Sequence, residues 1–559
     1  MSKLHSGIRL DRIATLENEL EITKAELASL KLGRSFRLVK FLRELKSSDP
    51  ADFLKTIKSA PSLLQRYEPV KADLRLASQK KYVSSLYNSF PLLRYPNINV
   101  VTIGSLPHLI FSSTCNQFPL SSSLFRSLTN LTSAIQLVAI EASSYKKEKH
   151  LNDLVECINS GANILILYND INNVKNIKKS IPKSGNIIEI SINSLPPVID
   201  IYELCIQLPK PNAKLSLSTR LTSNKNSILI LDSKKSESIN RKRRNKINQY
   251  IASGGLTIIK GETKPDWVSK ELWLCKDSIS INEAAKELST DYKAEQYAIK
   301  CSRDTILSFN TLNLTESLLI ETGLIKDKAP SPTIGVIMST KRPKNIQNAL
   351  EQIEHQSIPV NEVVLMLHGF SKKEYQKTIA LTENSSLNIK TKLVSNSVIF
   401  GDVLNMGLDL STSDLITKMD DDDFYLPNHL LDLYAAHLHS RADFVGKWNN
   451  WVYIESEDKT INWVPENSNA YVKHLPGATF LVKRSVLNNL RFGKVPRAID
   501  SELYRRSEKR GAVLYSTHRY NFVRKRGNDH TYDAKNASFK SRAHKIEFNG
   551  LDLENLLSA

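Results

Sequence analysis

The stretch LITKMDDDDFYLP, from Leu415 to Pro427, decides how the C-terminal part of this chain folds. Its first residues, Leu415 to Met419, form a mostly apolar run with the length of a buried strand. The run leads directly into four aspartates, Asp420 to Asp423, and Pro427 is a residue that opens helices. The sequence therefore predicts four carboxylates at the carboxyl end of a strand, which is where open α/β sheets bind their ligands.

The spacing of these aspartates suits a metal ion. Residues at positions i and i+2 of an extended chain point to the same side, so we expect Asp420 and Asp422 to face one cation together and Asp421 to point elsewhere. Carboxylate oxygens suit Mg²⁺ or Mn²⁺, which can bridge a protein to substrate phosphates. The alternative is a solvated acidic loop, because a run of aspartates alone does not require a metal.

A β-α-β unit precedes the acidic run. We predict a strand at TIGVIMS (Thr333 to Ser339), a helix over KRPKNIQNALEQIEHQ (Lys341 to Gln356) and a second strand at EVVLML (Glu362 to Leu367). The segment KDKAPSPT, just before the first strand, contains two prolines and small residues that end the preceding unit. The sequence therefore predicts a C-terminal α/β domain over residues 327–559.

Four segments of this domain carry a resemblance to a known family. They are the first strand with TKRP, the run MDDDD, PGATFLVKRSVL (Pro476 to Leu487) and RAIDSELYRR, in which Asp500 and Leu503 match the pattern Glu-Asp-x-x-Leu. Together they make the segment from Pro332 to about Tyr532 similar to a family 2 glycosyltransferase of the GT-A fold. The match has gaps, because Ile499 replaces the Glu, and Leu367-His368-Gly369 stands where the family usually has an Asp pair followed by Gly-Ser.

The resemblance implies roles for particular residues. It makes Asp500 the general base of an inverting transfer, although an acidic residue there also suits the start of a helix. It implies donor contacts for Thr340, Arg342, Asp420, Arg524 and Arg526, and a Mn²⁺ or Mg²⁺ shell of Asp420, Asp422 and His530. For the basic tail that holds Arg524, Arg526 and His530, the alternative is a solvated surface loop.

The middle of the chain, residues 97–326, alternates apolar runs with helix-like stretches. The runs INVVTIG, IQLVAIEAS, ANILILYND and SILILDS are typical of a parallel, Rossmann-like α/β unit with helices on both faces. The region from Lys246 to Leu319 resembles GT-B glycosyltransferases of the spore-maturation CgeB type, and IQLVAIEAS resembles their N-terminal half. Gln249 replaces a donor-binding Glu of that family, which implies an inactive scaffold or acceptor-recognition unit. The alternative is a second active transferase.

The N-terminal region is predicted to be helical. Apolar residues occupy heptad positions at Ile13, Leu16, Leu20, Leu27 and Leu30. Together with a basic amphipathic stretch that follows, they predict a coiled-coil element over residues 1–46 that makes the protein a homo-oligomer, and residues 47–96 are predicted to be a helical connector. The alternative is a membrane-surface contact through the basic residues of the amphipathic stretch.

Composition limits the remaining possibilities. The 559 residues carry a net charge of +19, and the five cysteines include no CxxC pair, which argues against a disulfide framework and a thiolate zinc site. Polar residues interrupt every apolar stretch before the roughly 18 residues that a membrane span needs, and the start lacks a signal-peptide core, so we expect a cytoplasmic protein, at most peripheral to a membrane.

The densest positive patch is the run Arg241, Lys242, Arg243, Arg244 and Lys246. It is either a solvated helix face or a contact for phosphate or anionic lipid. Nucleic acid is not an expected partner, because no DNA- or RNA-binding signature accompanies the charge.

The resemblance to family 2, together with the acidic run, implies a metal-dependent, inverting glycosyltransferase. It would move a sugar from a nucleotide-sugar donor to a hydroxyl group of a glycan, a cell-surface polymer or a protein. The alternatives are a two-headed transferase with an active middle unit and a noncatalytic scaffold that recruits partners through the coiled coil and the basic patch.

Overall fold

Parallel sheets in the middle of the chain and a mixed sheet in its C-terminal part organise the protein. The computed structural model describes residues 95–559, with gaps at 104–114, 120–134, 160, 182–185, 198, 200–203, 205, 210–214, 222–225, 237, 291, 441, 465–466, 496–497 and 528–542. The predicted coiled coil (1–46) and all but the last two residues of the predicted connector (47–96) lie outside these residues, as does His530.

The elements of the described residues are numbered in chain order. The strands are β1 (Tyr95–Ile103), β2 (Cys115–Pro119), β3 (Leu137–Glu141), β4 (Asn163–Tyr168), β5 (Ile187–Ser191), β6 (Ser216–Ser218), β7 (Ser227–Asp232), β8 (Thr257–Lys260), β9 (Trp273–Cys275), β10 (Ile334–Thr340), β11 (Glu362–His368), β12 (Ile389–Val394), β13 (Leu415–Lys418), β14 (Phe424–Tyr425), β15 (Phe444–Gly446), β16 (Asn450–Ile454), β17 (Lys459–Trp463), β18 (Ala470–Val472), β19 (Leu481–Lys483), β20 (Leu514–Ser516), β21 (Phe522–Arg526) and β22 (Ala543–Asn549). The helices are α1 (Lys147–Asn159), α2 (Ile171–Ser180), α3 (Ser233–Ser236), α4 (Arg241–Ala252), α5 (Ser278–Leu288), α6 (Lys293–Ser308), α7 (Thr311–Glu321), α8 (Ile346–Glu354), α9 (Lys372–Glu383), α10 (Phe400–Leu410), α11 (His429–Ser440), α12 (Arg484–Leu490) and α13 (Ile499–Lys509).

The middle region contains two parallel sheets. The first has the order β2-β1-β3-β4-β5 and the second the order β6-β7-β8-β9. The apolar runs that predicted parallel strands form β1, β3, β4 and β7, so the prediction of parallel α/β layers is confirmed. Helix α7, which follows the second sheet in the chain, packs Leu314, Leu318 and Leu319 into the core of the first.

An eight-stranded mixed sheet forms the base of the C-terminal region, with the order β12-β11-β10-β13-β19-β15-β20-β18. Strands β10, β11, β12 and β13 are parallel, and β19 is antiparallel to β13. The neighbouring parallel strands β10, β13 and β11 end at Thr340, Lys418 and His368. The shared direction of these strands places the residues that follow them at one edge of the sheet.

A second C-terminal sheet brings the tail of the chain to that edge. Its order is β14-β21-β16-β17-β22, and the two-residue strand β14 lies directly after the acidic run. Strand β21 pairs with β14, with Phe424 opposite Val523. Arg524 and Arg526 therefore lie on a strand, β21, and not on the surface loop that was one of the two predictions for them.

Buried contacts join the middle and C-terminal regions, which belong to one compact unit made of Leu92–Ser507 and Leu514–Ala559. Arg303 of α6 donates to Asp432 of α11 across 2.7 Å. Arg519 pairs with Glu295 of α6 across 2.6 Å, and Tyr520 donates to the same carboxylate. In the described part of the chain, no helix has the length and apolar character needed to cross a bilayer.

Candidate active site

The four aspartates that follow β13 alternate in burial. Asp421 and Asp423 are buried, whereas the side chains of Asp420 and Asp422 are 35% and 17% exposed. The extended segment that we predicted is not formed, because Asp421 and Asp422 lie in a turn, and Arg342 contacts both of them. The two more accessible carboxylates are those of Asp420 and Asp422.

Asp421 anchors the acidic run to the end of β10. Its carboxylate accepts hydrogen bonds from Thr340 Oγ1 at 2.7 Å, from Arg342 Nε at 3.0 Å and Nη2 at 2.7 Å, and from Asn345 at 3.3 Å. Arg342 also contacts Asp422 at 2.8 Å. Burial would lower the pKa of Arg342, but the two carboxylates outweigh it and raise that pKa. Thr340 and Arg342, which we predicted to contact the donor, thus hold the acidic run in place.

A buried lysine lies beneath Asp420. Lys418, the last residue of β13, places its Nζ 2.5 Å from Asp420 Oδ1, and its side chain is 6% exposed. Burial lowers the pKa of Lys418, but the charges of Asp420 and Asp500 raise it more. The Asp420 backbone N–H donates to the hydroxyl of Tyr425, which in turn donates to the Ala478 carbonyl. Lys418 therefore supplies a fixed positive charge among these carboxylates.

Asp500 reaches the same place from the start of α13. Its carboxylate lies against the backbone of Gly477, which favours the ionised form and so opposes a rise in its pKa. A Cβ atom on Gly477 would lie 2.0 Å from Asp500 Oδ2, so only glycine leaves room for this carboxylate. Burial raises the pKa of Asp500, Asp420 raises it further, and Lys418 and Arg524 oppose the shift. The fold thus brings Asp500 close enough to interact with Asp420 and Lys418, which lie about 80 residues earlier in the chain.

The remaining predicted residues lie on or beyond β21. Arg524 is half-buried, and its guanidinium lies 5.3 Å from the ring centroid of Trp463. The Lys525 backbone N–H donates to Asp423 at 3.0 Å, which ties this strand to the acidic run. Burial, with the charges of Asp422 and Asp420, raises the pKa of Asp423 well above its usual range. Arg526 is the last residue of the strand.

The family model described as "Glycosyl transferase family 2" matches residues 336–501. The match covers less than a third of the chain, and we name the matched residues the glycosyltransferase domain. The match runs from β10 to the first turn of α13 and includes both the acidic run and Asp500. No curated protein matches the chain.

Solved structures resemble a part of this chain. One is the mannosyltransferase PcManGT from Pyrobaculum calidifontis in complex with GDP-Man and Mn²⁺, which is 15% identical over 36% of this chain and 59% of that one, with a TM-score of 0.30. Another is S. aureus TarS 1-349 in complex with UDP-GlcNAc, 18% identical over 36% of this chain and 61% of that one, with a TM-score of 0.31. The chain thus covers about three fifths of the length of these proteins.

The carboxylate oxygens of the glycosyltransferase domain fit a cation whose coordination shell a substrate completes. Among the residues that the structure describes, no group of three or more His, Cys, Asp or Glu side chains could hold a metal ion. Asp420 and Asp422 nevertheless offer two accessible carboxylates at the sheet edge. Mg²⁺ commonly takes one or two carboxylates and completes its shell with water and substrate phosphates. The residues present fit that mode of binding.

Sequence reasoning missed three residues of the glycosyltransferase domain. Lys418 could have been found, because it lies two positions before Asp420 on an extended segment and so points to the same side. Asp421 was expected only to point elsewhere, and its anchoring bonds to β10 depend on tertiary contacts. Gly477 lies in the segment PGATFLVKRSVL that carries part of the resemblance, but its role was not predicted, because its need for glycine arises from the Asp500 carboxylate.

Proposed function

We propose that the glycosyltransferase domain transfers a sugar from a nucleotide-sugar donor to an acceptor hydroxyl group with inversion, using Asp500 as general base and a divalent cation at Asp420 and Asp422. The observation that carries the proposal is the Asp500 carboxylate, which lies against Gly477 and interacts electrostatically with Asp420 and Lys418 at the end of β13. A base that accepts the proton of the attacking hydroxyl group and a cation that stabilises the departing diphosphate together support a single displacement.

On the donor side, the departing diphosphate gains negative charge. Asp420 and Asp422 would hold Mg²⁺ or Mn²⁺, which when bound stabilises this charge. Arg342 fixes Asp421 and Asp422 and so sets the position of the acidic run. Arg524, a half-buried cation whose charge reaches Asp423 and Asp500, is suited to contact the diphosphate.

On the acceptor side, the attacking hydroxyl group must lose its proton as it bonds to the sugar. Asp500 would accept that proton, and its raised pKa makes it a stronger base than an exposed aspartate. Lys418 and Arg524 favour its ionised form, so the carboxylate stays able to accept a proton. One displacement without an enzyme-bound sugar intermediate inverts the anomeric centre.

Replacing Asp500 by Asn tests this mechanism. A panel of UDP- and GDP-sugars with Mn²⁺ first identifies the donor, because a bound ligand raises the apparent stability of the folded protein. Release of the nucleoside diphosphate then measures donor turnover. We expect Asp500→Asn to bind the donor as the wild type does and to lose turnover by about 10²–10⁴-fold, the usual contribution of a general base.

Glu502→Gln is the matched control for this experiment. Glu502 lies on the same helix two residues from Asp500, and it pairs with Arg506 and not with the acidic run. Its replacement should leave donor turnover within about twofold of the wild type, as expected for a carboxylate outside the site. Full turnover in Asp500→Asn, or an equal loss in Glu502→Gln, would contradict the role of Asp500.

A further inference from the structure

A positively charged cleft in the middle region has no part in the proposed transfer. It has a volume of about 340 Å³. Its lining residues are Arg220, Leu221, Asn240, Lys242, Arg243 and Lys246. Four of these six residues carry a positive charge, and none is acidic.

The basic run at the start of α4 divides into two groups. Arg241 is buried and donates to the Pro196 carbonyl at 3.3 Å, and Arg244 donates to the Ile239 carbonyl and lies 5.1 Å from the ring centroid of Trp267. Lys242, Arg243 and Lys246 instead line the cleft. The run is therefore not a uniform solvated helix face, because two of its members support the fold and three surround a concave surface.

The topology of the second parallel sheet places this cleft where ligands usually bind. Arg220 follows β6, and α4 follows the neighbouring parallel strand β7 after the short helix α3. Both lining segments therefore come from the carboxyl ends of adjacent parallel strands. The first turn of α4 adds the positive end of a helix dipole, and its N-cap is Asn240, whose side chain accepts from the Arg243 N–H.

Among the described residues, no acidic side chain pairs with the positive charges of the cleft. Within the described part of the chain, the side chains of Arg220, Lys242, Arg243 and Lys246 form no ion pair. Like charges held close together repel one another, and an anion between them converts that repulsion into attraction. Arg can bind a phosphate through two parallel hydrogen bonds, and Lys contributes a compact charge.

We propose that this cleft binds a phosphate group of a ligand, through Arg220, Lys242, Arg243 and Lys246. The ligand is a soluble phosphate compound or an anionic phospholipid headgroup, since both present the same chemistry to the cleft. The site is separate from Asp420 and Asp500, so it provides the middle region with a binding function of its own.

Two binding experiments on the full chain test the proposal. The first measures inorganic pyrophosphate binding by calorimetry, with EDTA present and in an Asp422→Asn background, so that a metal-bridged contact at the glycosyltransferase site does not contribute. The second measures co-sedimentation with vesicles of phosphatidylcholine containing phosphatidylglycerol, compared with phosphatidylcholine alone. In both, Lys242→Glu/Lys246→Glu is compared with Lys286→Glu/Lys300→Glu, which makes the same change in charge at exposed positions of α5 and α6.

If the cleft binds phosphate, Lys242→Glu/Lys246→Glu should weaken binding of the probe by about tenfold or more. The control Lys286→Glu/Lys300→Glu should leave the affinity within about twofold of the wild type. If Lys242→Glu/Lys246→Glu loses pyrophosphate binding, the ligand is a soluble phosphate compound. If this variant loses only vesicle binding, the ligand is a phospholipid headgroup. Both variants should unfold at the wild-type temperature, because the changed side chains are exposed. Equal weakening by both pairs, or no binding of either probe to the protein with an intact cleft, overturns the proposal.

Discussion

Two clusters of charged side chains in the C-terminal region shift the pKa of their aspartates in opposite directions. At the carboxyl ends of the strands, burial raises the pKa of Asp423 and Asp500. Around Asp432, the charges of Lys447, of His518 when it is protonated, and of Arg303 outweigh the effect of burial and hold the pKa of that aspartate well below its usual range. Neighbouring positive charges thus offset the effect of burial only partly at the strand ends, whereas around Asp432 they exceed it.

The difference lies in the balance of charges within each cluster. Asp432 pairs with Lys447 at 3.0 Å and with Arg303 at 2.7 Å, and it accepts a further bond from Asn521 at 2.8 Å. At the strand ends, the aspartates of the acidic run and Asp500 share the cations Lys418, Arg342 and Arg524. A cluster with excess negative charge attracts a cation, whereas a neutralised one serves the fold.

Removing the charge of Asp432 is expected to have the largest effect on stability. Asp432→Asn keeps the side-chain shape but leaves Lys447 and Arg303 without their buried counter-charge. Breaking a buried ion pair in this way costs about 3–5 kcal/mol of the free energy of unfolding. Urea unfolding followed by tryptophan fluorescence measures the loss.

Asp409→Asn provides the matched comparison for Asp432→Asn. Asp409 also pairs with an arginine, Arg491, but its side chain is 60% exposed. An exposed ion pair contributes about 0–1 kcal/mol to the free energy of unfolding, so the urea midpoint of Asp409→Asn should lie close to that of the wild type. Equal losses in the two variants would show that the Asp432 cluster contributes no more than a surface pair.

The contact between Gly477 and Asp500 allows the site cluster to be disturbed without removing a charge. Gly477→Ala would place a methyl group 2.0 Å from Asp500 Oδ2 and force the carboxylate to move. A displacement of about 1 Å at a reacting group can lower the rate about 100-fold, so we expect a drop in donor turnover of that order. The release of nucleoside diphosphate measures it, with donor binding recorded beside it.

A double variant decides whether Gly477 acts through Asp500. If the methyl group only displaces the base, Gly477→Ala/Asp500→Asn should be no less active than Asp500→Asn alone, because the two changes affect one group. Additive losses would instead mean that Gly477→Ala damages another part of the site.

Much of the glycosyltransferase domain could be predicted from local patterns. The strand Leu415–Lys418 follows from its apolar run. The partial exposure of Asp420 and Asp422 was predicted from an extended segment, whereas Asp421 and Asp422 lie in a turn. The first two strands of the domain were predicted to within one or two residues, because buried parallel strands form near-continuous apolar runs.

What could not be predicted depends on distant parts of the chain. The resemblance implied that the tail around Arg524 joins the acidic run at the donor site, but the pairing of this tail with β14 has no local signal in the sequence. The buried cluster of Asp432 combines residues from α6, α11 and the tail, and none of them stands in a local motif. Hydrophobic period and turn residues describe single elements, whereas these contacts form only when the elements pack.

Glu362 extends the comparison to the opposite end of the same sheet, with the smallest expected effect. It begins β11 and accepts bonds from Lys390 at 2.6 Å and from the backbone N–H groups of Thr412 and Ser413. Burial would raise the pKa of Glu362, but these partners outweigh it and hold the pKa well below its usual value of 4.5. Glu362 therefore resembles Asp432 more than it resembles Asp500.

Replacing this carboxylate should destabilise the protein in a pH-dependent way. We expect Glu362→Gln to cost about 1–3 kcal/mol of the free energy of unfolding at pH 7, because buried donors lose a charged acceptor. A lowered folded-state pKa contributes stability above the unfolded pKa of about 4.5, and that contribution is lost as the pH falls toward the folded value. The difference between the urea midpoints of the wild type and Glu362→Gln should therefore narrow below pH 4.5. The control Glu383→Gln changes an exposed carboxylate and should unfold at the wild-type midpoint. A gap that is constant from pH 7 to pH 3 would mean that the shape of the side chain, and not its charge, stabilises this end of the sheet.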